Sequence, residues 1–339
     1  MSERKQEEID AMFKATNLPK LLIEDIPKIN KISVVLDNTT QGMNALTTAS
    51  EIAKKFQAKL DIIVSEDFFE AFKVLIDSTN DKLNQLSVKA KTLLDEKGIH
   101  ADIQTVIGGR IDKVIEVFGD EITDEMKLGN QLISKFLDLD ADLLVLGVPL
   151  FQSREDPESE LLGSYVTKIL RARDIRANVV LVSEQSTPLG GNLIAFVEVN
   201  QQPRSIIALT KRALSLSNSD TKMKLVGIIE DKFIETVARI DSEDETSLPI
   251  QETTEKLKQK FSDTLGGITL IEELPQTPID KQVSTGKISE IVNLTLKNVT
   301  EGLVLVRSVA EIQDNLDPIA QQITRLVLAA GFPCLIVWD

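Results

Sequence analysis

Three strand-like apolar runs occur twice in this chain, in the same order and at nearly the same spacing. By residue number the pairs are 31–37 with 192–198, 141–147 with 301–307, and 178–182 with 334–337. The first two offsets are both about 160 residues, and the third is slightly shorter. Recurrence of several elements in a fixed order indicates the duplication of one structural unit.

Each repeat alternates these runs with stretches of helical periodicity, such as Ala45, Leu46, Ala49, Ile52 and Ala53. The predicted strands are 31–37, 60–64, 101–107, 142–146 and 178–182, then 192–198, 224–229, 268–272, 302–306 and 334–338. Continuous apolar strands separated by helices are typical of a parallel sheet that is covered on both faces. We therefore predict an α/β protein with two tandem, open, Rossmann-like parallel sheets, packed as a pseudo-dimer within one chain.

The predicted organisation has three parts: an N-terminal arm at 1–30, a first domain at 31–184 and a second domain at 192–339. The turn-rich stretch 186–191 links the two domains. The arm either packs on its own domain or docks onto a partner. The acidic stretch 241–256 is predicted to be an exposed insertion, because it is poor in apolar residues.

Composition narrows the possible partners and compartments. The 339-residue chain has a net charge of −15, which disfavours non-specific binding to nucleic acid or to an anionic membrane. No apolar run approaches the roughly 20 residues of a membrane span, and the N-terminus lacks a signal-peptide pattern. We expect a soluble, cytoplasmic protein. The single cysteine, Cys334, excludes an internal disulfide and is predicted to be buried.

Residues at predicted strand ends favour an anion site in the first repeat. Asp37, Val64 and Gly147 end three strands, and the carboxyl ends of parallel strands are where α/β proteins bind ligands. Asp37 would accept hydrogen bonds from a sugar or base, and Gly147 would let a ligand approach the backbone. Gly163 and Ser164 open the next helix, whose N–H groups would bind a phosphate.

The same residues also have a purely structural interpretation, which the sequence leaves open. Asp37 and Ser164 would then be helix caps, and Gly147 would make a turn. Catalysis has little support, since the single histidine, His100, is predicted to lie in a surface loop and no Cys/His metal cluster occurs. No complete phosphate-binding P-loop or nucleophile-elbow motif occurs either. We therefore expect a non-enzymatic protein.

Both halves resemble the universal stress protein family, which has an adenine-nucleotide α-hydrolase-like fold. The segments that carry the resemblance are VVLDNTTQGMNALTTASEIAKKFQAKLDIIV, VIGGRIDKVIEV, ADLLVLGV and LLGSYVTKILRARDIRANVVLV. Many members bind ATP through Gly, two residues, Gly, nine residues, Gly and Ser/Thr, and other members lack the motif. The resemblance implies ATP as the ligand, with Gly147 as the first glycine, Gly163 and Ser164 as the final pair, and the neighbouring Tyr165 in the binding set.

This chain departs from that motif in two ways. Leu150 stands where the middle glycine belongs, and twelve residues rather than nine precede Gly163. That loop carries four carboxylates, at Glu155, Asp156, Glu158 and Glu160. Carboxylates repel a triphosphate unless Mg²⁺ or basic groups intervene, and Arg154 is the only base in that loop. The sequence therefore leaves Mg²⁺ open as a companion of ATP.

The second repeat departs further and is predicted to be degenerate. Arg307 occupies the position of Gly147, Glu198 that of Asp37, and Pro318 follows an acid where Gly-Ser would fall. The resemblance implies a stress-response or regulatory protein with an ATP site in the first repeat. The alternatives are a nucleotide-free module that acts on an unknown protein partner and a slow nucleotide hydrolase that uses Asp37 and a metal. Association into a homodimer stays open.

Overall fold

The computed structural model describes residues 26–65, 79–106, 140–152, 160–161, 177–199, 203–217, 220–242, 250–266, 279–308 and 318–338. In chain order its elements are β1 (Lys31–Leu36), α1 (Thr40–Phe56), β2 (Lys59–Ser65), α2 (Thr79–Lys97), β3 (Ala101–Val106), β4 (Leu143–Gly147), β5 (Phe151–Gln152), β6 (Glu160–Leu161), β7 (Asn178–Val182), β8 (Asn192–Glu198), α3 (Pro203–Ser215), β9 (Lys222–Glu230), α4 (Asp231–Ser242), α5 (Ile250–Gly266), β10 (Ile279–Gly286), α6 (Ile288–Leu296), β11 (Leu303–Ser308), α7 (Pro318–Ala329) and β12 (Cys334–Trp338).

Strands alternate with helices and lie mostly parallel, as the apolar runs predict. The chain forms two compact units, one of residues 29–189 with 308–338 and the other centred on 190–307. These units are defined by contacts, whereas the predicted domains at 31–184 and 192–339 are defined by sequence repetition. The repeat boundaries therefore stay a prediction.

The sheet of the first unit has the strand order β12-β7-β4-β1-β2-β3. β1 lies between β2 and β4, and Ile32 pairs with Leu60 on one side and with Leu143 on the other. These three side chains are fully buried. Such continuous burial is typical of parallel strands that are covered on both faces.

The last strand corrects the expectation of a wholly parallel sheet. β12 pairs antiparallel with β7, with Leu335 opposite Val180. These two strands carry the echoing runs of the two repeats. A ladder of backbone hydrogen bonds forms in either direction, and an apolar run does not encode the direction. The sequence pattern therefore predicted both strands but not their orientation.

Helix α1 has clear local signals at both ends. Thr39 is its N-cap, with extended backbone angles and a side chain that accepts a hydrogen bond from the Gly42 N–H. The helix ends at Gln57, which adopts the left-handed conformation. The predicted apolar face, which includes Leu46 and Ile52, is buried. Gly98, with φ of +68°, follows α2, as is typical of a residue just after a helix C-terminus.

The second unit has the strand order β10-β9-β8-β11, and every pair is parallel. In the acidic stretch 241–256, the described residues 250–256 are mostly exposed, as predicted, but they belong to a helix. α4 extends to Ser242 and α5 begins at Ile250. Thr253, Leu257, Phe261 and Leu265 are the buried face of α5, spaced four residues apart. That stripe begins at Thr253, inside the acidic stretch, but its apolar members lie beyond the stretch, so the helix was not predicted.

Strand β10 was not predicted from the sequence. Its residues, IDKQVSTG, are largely polar and none is buried, because the strand pairs only with β9 in the described part of the chain. The predicted strand 268–272 lies outside the described residues. So do the predicted helices at 111–137 and 164–173 and most of the N-terminal arm.

Among the described helices, none combines the length and the apolar character that crossing a bilayer requires.

Candidate functional site

The first unit has a topological switch point between β1 and β4. From β1 the chain proceeds to β2 and β3 on one side, whereas β4 and β7 lie on the other. The carboxyl edge at such a switch point is where α/β proteins bind ligands. Asp37 follows β1, and Gly147 ends β4. The structure therefore brings these two predicted site residues to the same edge of adjacent strands.

The Asp37 carboxylate lies against the start of α1. Its Oδ1 accepts a hydrogen bond from the Thr39 N–H at 3.0 Å and another from the Thr39 hydroxyl. The Thr39 Oγ1 in turn accepts from the Gly42 N–H at 3.0 Å. The positive end of the helix dipole favours a carboxylate here. The helix cap is therefore Thr39 rather than Asp37, and Asp37 holds that cap in place. Asp37 is only partly buried, and a carboxylate accepts about four hydrogen bonds, so the group can hold Thr39 and also contact a ligand.

Gly42 allows the carboxylate to approach so closely. A Cβ on Gly42 would lie 2.1 Å from Asp37 Oδ1 and 3.1 Å from the Asp37 backbone nitrogen. No side chain fits at that separation unless the carboxylate moves. The position of Asp37 therefore depends on a glycine that the site prediction did not include.

Gly147 is buried and packs against the same helical turn. A Cβ there would lie 2.7 Å from the Gln41 carbonyl carbon and 2.7 Å from the Gly42 nitrogen. Backbone cannot give way as a flexible side chain can, so β4 and α1 approach this closely only with glycine at position 147. This contact supplies a structural reason for Gly147 beside the ligand-based reason expected from the sequence.

The other predicted site residues contribute less to the described geometry. Val64 is fully buried and pairs with Leu36 and Thr105, so its side chain belongs to the core. Gly163, Ser164 and Tyr165 lie outside the described residues.

The long acidic loop has a short ribbon at its base. β5 and β6 pair antiparallel, with Phe151 opposite Leu161, and residues 153–159 between them lie outside the described part. β6 also contacts α7. Both ends of the loop thus belong to a defined element near the end of β4.

Sequence reasoning missed Thr39, Gly42 and Asn44. The Asn44 amide donates to the Ser183 carbonyl at 3.2 Å and to the Glu184 carbonyl at 2.9 Å, which ties α1 to the end of β7. Threonine directly before a helical pattern is an N-cap signal, so the role of Thr39 could have been predicted from the sequence. Gly42 and Asn44 act through contacts between distant segments, which have no local signature.

A second charged cluster, also unpredicted, lies at the amino edge of the same sheet. Asp61 is fully buried, and its carboxylate is 3.5 Å from Lys31 Nζ and 3.3 Å from Lys59 Nζ. These are ion-pair contacts, since neither carboxylate oxygen has a partner of hydrogen-bond geometry. Lys59 Nζ also lies 2.6 Å from Asp102.

The charges of this amino-edge cluster shift one another's ionisation. Asp102 chiefly, and then Asp61, hold the pKa of Lys59 above its ordinary value of 10.5. The hydrogen bond from Lys59 lowers the pKa of Asp102 below its ordinary value of 3.8. Lys59 and Asp102 are therefore both charged throughout the neutral range.

The two candidate reactive side chains lie away from the carboxyl edge between β1 and β4. His100 is exposed and directly precedes β3, at the amino edge of the sheet. Cys334 is fully buried, as predicted, and burial raises the pKa of its thiol to about 12, so the thiol is protonated at neutral pH. Within the described ranges, no group of three or more His, Cys, Asp and Glu is arranged to hold a metal.

The equivalent edge of the second unit carries two buried charged residues. Glu198 ends β8 and Arg307 lies in the adjacent strand β11, and each is only 5% exposed. Pro318, which the sequence repeat places at the same site, begins α7, and by its contacts that helix belongs to the first unit. Proline is favoured at the first position of a helix because an N–H there would have no partner within the helix. Where the first unit has glycine and a half-buried acid, the second has large side chains inside the protein.

Over its length the chain resembles solved structures of low sequence identity. A universal stress protein from Pseudomonas aeruginosa UCBPP-PA14 superposes with a TM-score of 0.51 at 15% identity, covering 91% of this chain and 93% of that chain. A functionally unknown protein from Pseudomonas aeruginosa PAO1 gives 0.51 at 14% identity, covering 97% and 95%. No protein-family model and no curated protein matches the chain. The chain therefore has the universal stress protein fold.

Proposed function

We propose that this chain is a non-enzymatic regulatory protein of the stress-response type that binds one adenine nucleotide in its first repeat. The carboxyl edge between β1 and β4 carries the proposal. It lies at the switch point of a fold shared with a universal stress protein, and a part-buried carboxylate stands there. The proposal rests on that position together with the glycine and serine pattern of the sequence.

In this proposal Asp37 accepts hydrogen bonds from the ribose or the base, because a carboxylate repels phosphate. Gly163 and Ser164 hold the phosphates through helix N-terminal amides, and Tyr165 belongs to the same segment. Mg²⁺ offsets the repulsion between the triphosphate and the acidic loop. Nucleotide binding orders the 148–162 loop, which changes the surface offered to a protein partner.

A regulatory role is favoured over a catalytic one by the position of the reactive side chains. His100, the single histidine, lies at the amino edge of the sheet, opposite the proposed site. The Cys334 thiol is buried and protonated. A nucleophile or general base must reach the reacting atoms within hydrogen-bond distance. Neither side chain is placed to do so.

A second candidate is a nucleotide-free interaction module. Its support is the packing of Gly147 against the Gln41 and Gly42 backbone and the hydrogen bonds by which Asp37 holds Thr39, the N-cap of α1. Both residues then serve the fold alone. The two candidates make opposite predictions about Asp37.

The test compares Asp37→Asn with Glu198→Gln, the same change of charge at the equivalent position of the second repeat. Binding of a fluorescent ATP analogue is measured with Mg²⁺ present. We expect Asp37→Asn to weaken binding at least about tenfold, since a charged hydrogen-bond acceptor is lost, and Glu198→Gln to leave it unchanged. The carboxamide keeps an oxygen for the Thr39 N–H, so the cap survives. Equal affinities of both variants and the parent would contradict the site.

Gly163→Asp separates the two candidates further. A carboxylate at the predicted helix N-terminus repels the phosphates, so we expect nucleotide binding to be abolished. A nucleotide-free module would keep its affinity for a protein partner in this variant.

A further inference from the structure

A cavity of about 320 Å³ lies in the second unit, along the edge of β10 that has no strand partner among the described residues. Its walls come from β9, α5, β10 and α6. The volume is at the lower end of the range for small-molecule sites, about 300–1,000 Å³. The cavity is unrelated to the switch point of either repeat.

The residues of β10 show how the cavity is built. Gln282 and Ser284 face one side of the strand and Val283 and Thr285 the other, because side chains alternate along a strand. All four line the cavity. Only a space that wraps around the strand's edge contacts both faces at once. In the described part of the chain β10 pairs with β9 alone, so the cavity lies beside an edge strand.

The charges of the cavity favour an anion. Lys224 from β9 and Lys258 from α5 line it, against the single carboxylate of Glu290. Asp280 and Glu255 lie 3.9 Å from the two ammonium groups, and both acids are 71% exposed, so these ion pairs are weak and screened by solvent. Two lysines beside hydroxyl groups form a donor set for carboxylate or phosphate, in a protein whose overall charge is −15.

One wall of the cavity is apolar. Val283, Ile291 and Leu294 line it, and Leu294 is 70% exposed, which is unusual for a large apolar residue. A ligand with a short carbon skeleton would cover that side chain. An inorganic ion alone would leave this wall in water.

From the two lysines, the hydroxyls and this apolar wall, we propose that the β10 edge cavity binds a small organic anion, either a carboxylate or a phosphate monoester. Lys224 and Lys258 hold the anionic group, and Ser284 and Thr285 contribute hydroxyls. The carbon skeleton packs against Leu294. This site is separate from the nucleotide site proposed above, so either can fail without the other.

The test is calorimetric titration of the full chain with glutarate and with glycerol 2-phosphate, with glycerol as the neutral probe. Lys224→Met/Lys258→Met is compared with Lys222→Met/Lys256→Met. The control changes a lysine two residues away in the same strand and the same helix, with the same loss of charge, and neither control lysine lines the cavity. Thermal unfolding verifies that both variants fold.

We expect saturable binding of at least one anionic probe and none of glycerol. The lining variant should bind about tenfold more weakly, whereas the control stays close to the parent. Which probe binds distinguishes a carboxylate from a phosphate ester. Glu290→Gln should bind more tightly, since it removes the repelling carboxylate. The probe should also slow amide hydrogen exchange in residues 279–296, a measurement that needs no variant.

Absence of binding by both anions would overturn the proposal. So would equal weakening in the two double variants, because that result would assign the attraction to net charge rather than to this cavity.

Discussion

The amino and carboxyl edges of the first unit's sheet each hold an aspartate, and the two differ in burial and in the groups that surround the carboxylate. Asp61 at the amino edge is fully buried and lies between two lysine ammonium groups. Asp37 at the carboxyl edge is part-buried, and Thr39 and the start of α1 hold it through hydrogen bonds. Neutralisation by cations suits a structural role, whereas a hydrogen-bonded carboxylate keeps its charge available to a ligand.

The carboxyl edge of the second repeat differs from that of the first repeat in the size and burial of its side chains. Glu198 and Arg307 are buried where the first repeat has a part-exposed acid and a glycine. Large side chains inside the protein occupy space that a ligand would need. The account therefore assigns ligand binding to one carboxyl edge and structural roles to the other two regions.

The largest loss of stability is expected from Lys31→Met/Lys59→Met. This variant leaves Asp61 buried without a counter-charge, which is strongly unfavourable. Adding Asp61→Asn should recover part of the loss, because the amide carries no charge. Urea unfolding of the double and triple variants measures the recovery. A triple variant that is no more stable than the double would show that the ion pairs do not support Asp61.

Gly147→Ala should cost about 1–3 kcal/mol of unfolding free energy, the usual range for overpacking. The added methyl group would meet the Gln41 and Gly42 backbone at 2.7 Å. Gly266→Ala is the matched control, since a Cβ there has nothing within 4 Å. Equal unfolding free energies for these two variants would remove the structural reason for Gly147.

Gly42→Ala should lower the free energy of unfolding by less than Gly147→Ala does. A loss is expected even though alanine is more favourable than glycine in a helix interior by about 1 kcal/mol. The methyl group displaces the Asp37 carboxylate, which can move more easily than backbone. In a protein that already carries Asp37→Ala, Gly42→Ala should lower the free energy of unfolding by less. Residues in contact couple by about 0.5–3 kcal/mol in such double-mutant cycles. Strict additivity would mean that Gly42 does not position Asp37.

The smallest effect is expected from the exposed Lys59–Asp102 pair. The folded pKa of Asp102 is lowered, so its contribution is present above about pH 4, near its unfolded value, and is lost as pH falls through the folded value. The folded pKa of Lys59 is raised, so its contribution is present below its ordinary 10.5 and is lost at higher pH.

Asp102→Asn should therefore flatten the acid limb of the stability curve, and high salt should reduce the difference, since both side chains are more than half exposed. Thermal unfolding between pH 2 and 6 measures this limb. An acid limb identical to that of the parent would exclude the pair as its source.

Much of the fold follows from local sequence signals. The buried runs of β1, β4, β7, β8, β11 and β12 are continuous and apolar, so their positions were predicted closely. β10 was missed because an edge strand with no buried residue need not be apolar. α5 was missed because its buried stripe begins within an acidic stretch. The antiparallel pairing of β12 depends on contacts between distant segments.

The candidate site was predictable only in part. Asp37 and Gly147 follow from the rule that ligands bind at strand ends. The dependence of Asp37 on Gly42, and of Gly147 on the α1 backbone, arises from distances of a few ångströms between separate elements. The amino-edge cluster around Asp61 had no signal either, because its charges meet only when β1, β2 and β3 pair.

The most direct test of the central claim is calorimetric titration of the purified chain with ATP, with and without Mg²⁺. The account predicts saturable binding of one nucleotide per chain, strengthened by Mg²⁺, because only the first repeat keeps an accessible carboxyl edge. Binding of two nucleotides would contradict the assigned difference between the repeats. No heat at millimolar ATP would contradict the nucleotide site itself and favour the nucleotide-free interaction module.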